Sequence, residues 1–99
     1  QLIDRAVADV LAERTRQAEK WGEQNHDPYL YLTILGEEYG EVCKAALHLM
    51  FGGNVAKNSP QGYENLREEA VQTAAVALAI VQCIDRDRWE WGLYPTTQQ

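Results

Sequence analysis

The sequence is poor in the residues that build stapled, secreted or membrane-spanning folds. Only two cysteines occur among its 99 residues, Cys43 and Cys83. Each sits among alanines and aliphatic residues in helical context, so two reduced core thiols are expected rather than a disulfide. No CxxC and no closely spaced Cys/His pair is present, which argues against a zinc site. The longest apolar run, Ala74 to Val81, falls far short of the roughly 20 residues that span a bilayer. No basic segment followed by an apolar stretch marks a secretory leader, so a cytoplasmic protein without a membrane partner is expected. Basic residues are also in the minority, with Lys and Arg numbering 9 against 15 Asp and Glu, for a net charge of -6. A surface of that sign lacks the field that nonspecific nucleic-acid binding relies on, and no nucleic-acid partner is expected. A nucleotide ligand remains compatible with it, because a bound divalent cation inverts the local sign. There is no GxxxxGK[ST] loop and no Ser/His/Asp grouping, so neither P-loop nor nucleophilic serine chemistry is expected.

What is present is helical periodicity. With 45% hydrophobic and 24% charged residues, the chain has the composition of a folded protein, and its length gives one domain over residues 1–99. Three long helical patterns appear and no strand pattern. In the first, about Leu2 to Trp21, the residues Ile3, Val7, Val10, Leu11, Ala18 and Trp21 recur at helical spacing. Gly22 to Pro28 reads as a polar connection, with Asp27 capping a second helix that has Pro28 at its first position. That helix extends to Phe51 and stops at Gly52-Gly53. Its core stripe is expected to be Leu32, Leu35, Tyr39, Val42, Ala46 and Leu49.

The stretch Gly52 to Gly62 reads as a loop. A third helix is expected from Tyr63 or Asn65 to about Arg86, followed by a short turn carrying Trp89, Trp91 and Tyr94. From Ala74 to Val81 no polar face exists, so this part is expected to be buried all round. Three helices can hardly cover it. The expected architecture is therefore an all-α antiparallel bundle of three long helices plus a short C-terminal turn, completed by homo-oligomerisation.

The informative residues are acidic. Glu37, Glu38 and Glu41 stand in EEYGE, and at 100° per residue Glu37 and Glu41 lie about 40° apart, with Glu38 about 100° from Glu37. All three can point into one groove. In the third helix Glu68, Glu69 and Gln72 (EEAVQ) form a second polar set, which converges on the first if the two helices pack antiparallel. Clustered carboxylates are ligands for hard cations such as Mg²⁺ or Mn²⁺. Without a cation they repel, by about 4 kcal/mol for two unit charges 4 Å apart at an effective dielectric near 20. The competing reading is an ordinary solvated face, since glutamate is a good helix former. Asn65-x-x-Glu68 also has capping-box spacing, which would assign Glu68 to the helix start. Lys44 reads either as a phosphate ligand or as a surface ion-pair partner of Glu41. His48 reads as an ordinary exposed or satisfied histidine.

These residues resemble the MazG-like all-α nucleotide pyrophosphohydrolases, which carry EExxE on one helix and ExxD on the next. Glu37, Glu38 and Glu41 match the first motif, and Glu69 matches the first position of the second, with residues 42–68 between them. Gln72 departs from the pattern, standing where the family usually has Asp. The stretch KWGEQNH (residues 20–26) followed by ILGEEYGEV is similar to a subgroup of short MazG-like proteins. The resemblance covers about Val10 to Ile84. It implies a hydrolase that converts a nucleoside triphosphate to the monophosphate and pyrophosphate with Mg²⁺, as a homodimer or homotetramer.

It further implies Glu37, Glu38, Glu41 and Glu69 as metal ligands, with Gln72 a weaker fifth and one glutamate, Glu38 or Glu41, activating water. For the base, Trp21 either stacks on it or closes the first helix against the core. Gln24, Asn25 and His26 either read its edge or form a turn. Two rivals stand beside this reading. One is a nucleotide-binding or sensing module with little turnover, suggested by Gln72; the other is a structural helical dimer with a solvated acidic face.

Overall fold

In the computed structural model, which describes residues 1–21, 27–52 and 60–86, three helices account for nearly all of the described chain. They are α1 (Leu2–Trp21), α2 (Pro28–Phe51) and α3 (Pro60–Arg86). No strand occurs among the described residues. The first two helices have the expected boundaries. Asp27 is extended at φ -71°, ψ 162°, and its carboxylate accepts the Leu30 N–H at 2.9 Å. With Pro28 already fixed at a helical φ, that cap contributes about 1 kcal/mol to starting α2. At the other end the Gly52 N–H donates to the His48 carbonyl at 2.8 Å, which ties off the last turn.

The third helix begins earlier than the sequence suggests, at Pro60 rather than at Tyr63 or Asn65. Proline at a first helical position lacks an N–H where none is needed, so it opens a helix as readily as it marks a loop. Asn65 therefore lies in the second turn, where its side-chain oxygen accepts from Gln61 at 2.9 Å. It does not serve as a cap for Glu68. Residues 22–26, 53–59 and 87–99 lie outside the described residues. The expected polar connection and most of the expected loop fall there, as does the short aromatic turn.

Both other helices pack on α3, and α2 makes the broader contact. The buried apolar core is small: Tyr31 and Leu49 from α2, and Ala75, Val76, Ala79 and Cys83 from α3. Alanines on α3 let α2 approach closely, and Tyr31 fills the space beside Ala79 and Cys83 with Ile34 and Ile80 against them. Both cysteines are free thiols, Cys83 buried and Cys43 half-buried. The expected stripe on α2 is rotated in the structure. Leu49 is buried and Leu35, Val42 and Ala46 are half-buried, but Leu32 and Tyr39 are exposed and Tyr31 takes the core position. Ala74 to Val81 is likewise buried on one side only, with Ala74 and Val81 exposed. The reason is common to both: each stretch is apolar on two faces, and one chain provides a neighbour for one of them.

α1 docks in a different way. Ile3, Val7 and Leu11 are exposed, whereas Gln17 is 2% exposed. The Gln17 amide donates to the Glu13 carboxylate at 3.2 Å and to the Gln72 carbonyl at 3.4 Å. Arg14 reaches Gln82 at 2.8 Å, and Arg67 reaches Asp9 at 2.7 Å. α1 is thus held on α3 by polar contacts beside its apolar stripe. Replacing Gln17 by Leu keeps the volume but removes both bonds and leaves Glu13 short of a donor. A loss of about 1–2 kcal/mol is expected, read as a lower denaturant midpoint with an unchanged slope.

Candidate functional site

α2 and α3 place the acidic residues on facing surfaces. A cleft of about 310 Å³ lies between them, with Glu41, Lys44, Ala45 and His48 on the α2 side and Gly62, Asn65, Glu68 and Glu69 on the α3 side. The spacing explains the α2 contribution. Glu41, Lys44 and His48 follow one another at i+3 and i+4, so they line one strip of the helix. Gly62 is buried and Ala45 half-buried, and the two small residues keep this end of the cleft narrow.

Glu38 sits half-buried beside this cleft, and its carboxyl is raised above the ordinary range. Burial is the main cause, followed by the charges of Glu69, Glu41, Glu13 and Glu37 in that order. Charges from both α2 and α3 thus bear on Glu38. Glu68 lines the same cleft, and Gln72 is half-buried one turn beyond Glu69. Lys44 and His48 are exposed at its wall, and Lys44 gives the acidic groove one cationic side chain. Trp21 is the last residue of α1, whereas Gln24, Asn25 and His26 lie outside the described residues.

One participant escapes a reading of the second and third helices alone. Glu13 comes from α1, with its side chain only 12% exposed, and Arg16 holds it at 2.6 Å. That hydrogen bond lowers the Glu13 carboxyl below its ordinary value against the opposing effect of burial, with the Arg16 charge and Gln17 assisting. Glu13 is thus held by Arg16 and Gln17, and its charge adds to the rise of the Glu38 carboxyl. The available signal was Gln17, seven residues after Val10 and so on the same face, a polar residue where the core pattern continues. A second cleft, of about 600 Å³, opens between α1 and α3 where Glu13 and Arg16 face Glu64 and Glu68.

The donor set is one of carboxylates, which suits Mg²⁺ by ligand type. Among the described residues, no group of three or more His, Cys, Asp or Glu side chains is arranged to hold a metal ion. Binding would require the long glutamate side chains to turn inward from the backbone positions that α2 and α3 fix. The raised Glu38 carboxyl has a consequence for stability without metal. Folded Glu38 keeps its proton to a higher pH than the unfolded chain does, so raising the pH above about 4.5 destabilises the fold. Glu13 acts oppositely, stabilising above its unfolded value and losing that contribution only as the pH falls below it. Thermal melts in chelator should therefore lose stability on this limb, and Glu38→Gln should flatten it.

Compared with known proteins, the chain matches no family model, no curated protein and no solved structure. Among the described residues, no helix is long and apolar enough to cross a membrane.

Proposed function

We propose that this chain is a Mg²⁺-dependent nucleoside triphosphate pyrophosphohydrolase of the MazG-like kind, releasing nucleoside monophosphate and pyrophosphate. The observation that carries the reading is the cleft between α2 and α3 that Glu41, Glu68 and Glu69 line, with half-buried Glu38 raised first by burial and then by the charges of Glu69, Glu41, Glu13 and Glu37. A solvated acidic face would leave its members screened and independent. Glu37, Glu38, Glu41 and Glu69 would hold the cation, with the Gln72 amide oxygen as a weaker donor. Held there, a magnesium ion would supply charge neutralisation for the triphosphate and make water a better nucleophile.

The chain's own residues do the rest. Glu38 or Glu41 would accept the proton of the attacking water. Lys44, one turn from Glu41, lies where negative phosphate oxygens would need a cation, with His48 a further turn along the same wall. Attack at the α-phosphorus in line with the departing pyrophosphate needs no covalent intermediate, so positioning and charge complementarity carry the catalysis.

The helices bind this site into an antiparallel bundle. That reading is supported by Tyr31 near the start of α2 meeting Ala79 and Cys83 late in α3, while His48 near the end of α2 faces Gly62 at the start of α3. The exposed apolar faces support a homo-oligomer, a dimer or a tetramer. A second functional reading, a nucleotide-binding module with little turnover, is favoured by one residue. Gln72 puts a neutral amide where a further carboxylate would strengthen cation binding. Melting curves with Mg²⁺, with nucleoside triphosphate and with both separate binding from its absence. Both readings expect a rise in Tm with the pair together, because a ligand of the folded state stabilises it by linkage. An unchanged Tm throughout rejects both.

A further inference from the structure

The cleft between α2 and α3 suits phosphates and a cation, but it has little to offer a nucleobase. Its volume is about 310 Å³, and Ala45 is the one aliphatic side chain among its lining residues. Small-molecule sites combine apolar walls with a few well-placed polar groups. The cleft between α1 and α3 has both, in about 600 Å³. Glu68 lines each of the two clefts, so they meet along one ridge of α3 and a single ligand can lie in both.

In the larger cleft Ala12 from α1 and Val71 from α3 supply aliphatic surface. Two polar groups stand one helical turn apart on its α3 side, Glu64 and Arg67. Arg67 is fixed by Asp9, to whose carboxylate one Nη atom donates at 2.7 Å. Its other guanidinium N–H groups have no partner among the described residues. Glu64 is exposed and likewise has none. Arg16, the second arginine of the cleft, is taken up by Glu13, to which it donates through both Nε and Nη. The cleft therefore presents one carboxylate with two open acceptor oxygens beside one guanidinium with donors to spare.

That pairing selects among bases. An ionised carboxylate only accepts hydrogen bonds, and two adjacent donors satisfy it. Guanine alone among the common bases offers them, in its N1–H and its 2-amino group. Its O6 and N7 acceptors, on the neighbouring edge, match a guanidinium fork. Adenine and cytosine set a ring acceptor beside the amino group, which a carboxylate repels. Uracil and thymine flank their single donor with two carbonyls.

We infer that the cleft between α1 and α3 is the nucleoside subsite and that it takes guanine, with Glu64 on the N1–H and 2-amino donors and Arg67 on O6 and N7. The inference rests on the proposed function and names the base of its triphosphate. The phosphates then run past Glu68 toward Glu41, Lys44 and Glu69. The base lies beside Ala12, more than two helical turns before Trp21.

Hydrolysis of guanosine, inosine, adenosine, cytidine and uridine triphosphates with Mg²⁺ tests the assignment. The kcat/KM for guanosine triphosphate should exceed that for adenosine triphosphate by about tenfold or more, the scale of one bidentate base contact. Inosine triphosphate lacks only the 2-amino group and should fall between them. Glu64→Gln should lower the guanosine value by about tenfold, through KM rather than kcat. It should leave adenosine triphosphate unchanged, erase the difference between guanosine and inosine, and keep the parent Tm. Equal use of all bases overturns the subsite and leaves the hydrolase standing. So does a guanine preference that Glu64→Gln leaves intact, or one that only Trp21→Ala removes. A Tm raised by Mg²⁺ with guanosine but not adenosine triphosphate, without turnover, supports the subsite and overturns the hydrolase. Neither turnover nor a Tm change with any triphosphate overturns both.

Discussion

Glu38→Gln is expected to reduce Mg²⁺-dependent triphosphate hydrolysis by on the order of 10³-fold, the scale of removing a catalytic base or a central electrostatic group. The same substitution should raise Tm in the absence of metal. Both effects have one cause. Glu38 is the carboxyl on which burial and four other glutamates bear together, so its charge is disfavoured in the fold. Neutralising it would relieve that penalty and, on the proposed function, take away a ligand of the cation. Steady-state hydrolysis and melting curves on one preparation check the pair. Full activity with unchanged stability would return the cluster to a solvated face.

Ala75→Leu should be the most damaging single change to the fold. Ala75 has no exposed surface, and its neighbours Val76 and Ala79 are 1% and 3% exposed, on the one helix against which both others pack. Overpacking such a site costs about 1–3 kcal/mol, sometimes more, and each kcal/mol shifts Tm by roughly 4–8 °C in a domain of this size. A fall of about 10 °C or more is therefore expected. Ala18→Leu, on the exposed side of α1, should change stability by no more than about 0.5 kcal/mol. Equal effects at the two positions would show that α3 is not the central helix.

Helix existence and two of the three helix spans were legible because punctuation and periodicity agree there: Asp27-Pro28 starts α2, Gly52 stops it, and no strand pattern competes. The start of α3 was not legible, since Pro60 supports either a loop or a first helical turn. The choice of buried face was the weakest part of the reading. α2 is apolar on two faces, and periodicity alone does not say which one α3 covers; Tyr31 therefore displaced Leu32 and Tyr39 from the core. On α1, Ile3, Val7 and Leu11 recur at helical spacing but are exposed, and Gln17 makes the buried contact through hydrogen bonds that a hydrophobic pattern does not register.

For the acidic residues, i, i+1 and i+4 spacing already fixes relative direction along α2. Of the four, Glu41 and Glu69 line the α2/α3 cleft, and the charges of Glu69, Glu41 and Glu37 add to burial in raising the Glu38 carboxyl. Glu13 was missed because α1 carries no motif that joins it to that groove.

The account rests most heavily on the reaction itself. Purified protein should be incubated with a panel of common and modified nucleoside triphosphates, with Mg²⁺ and with chelator, in water enriched in ¹⁸O. The account predicts nucleoside monophosphate and pyrophosphate only when Mg²⁺ is present, with the heavy oxygen in the monophosphate, as attack at the α-phosphorus requires. Diphosphate and inorganic phosphate as products, or turnover indifferent to chelator, would contradict it.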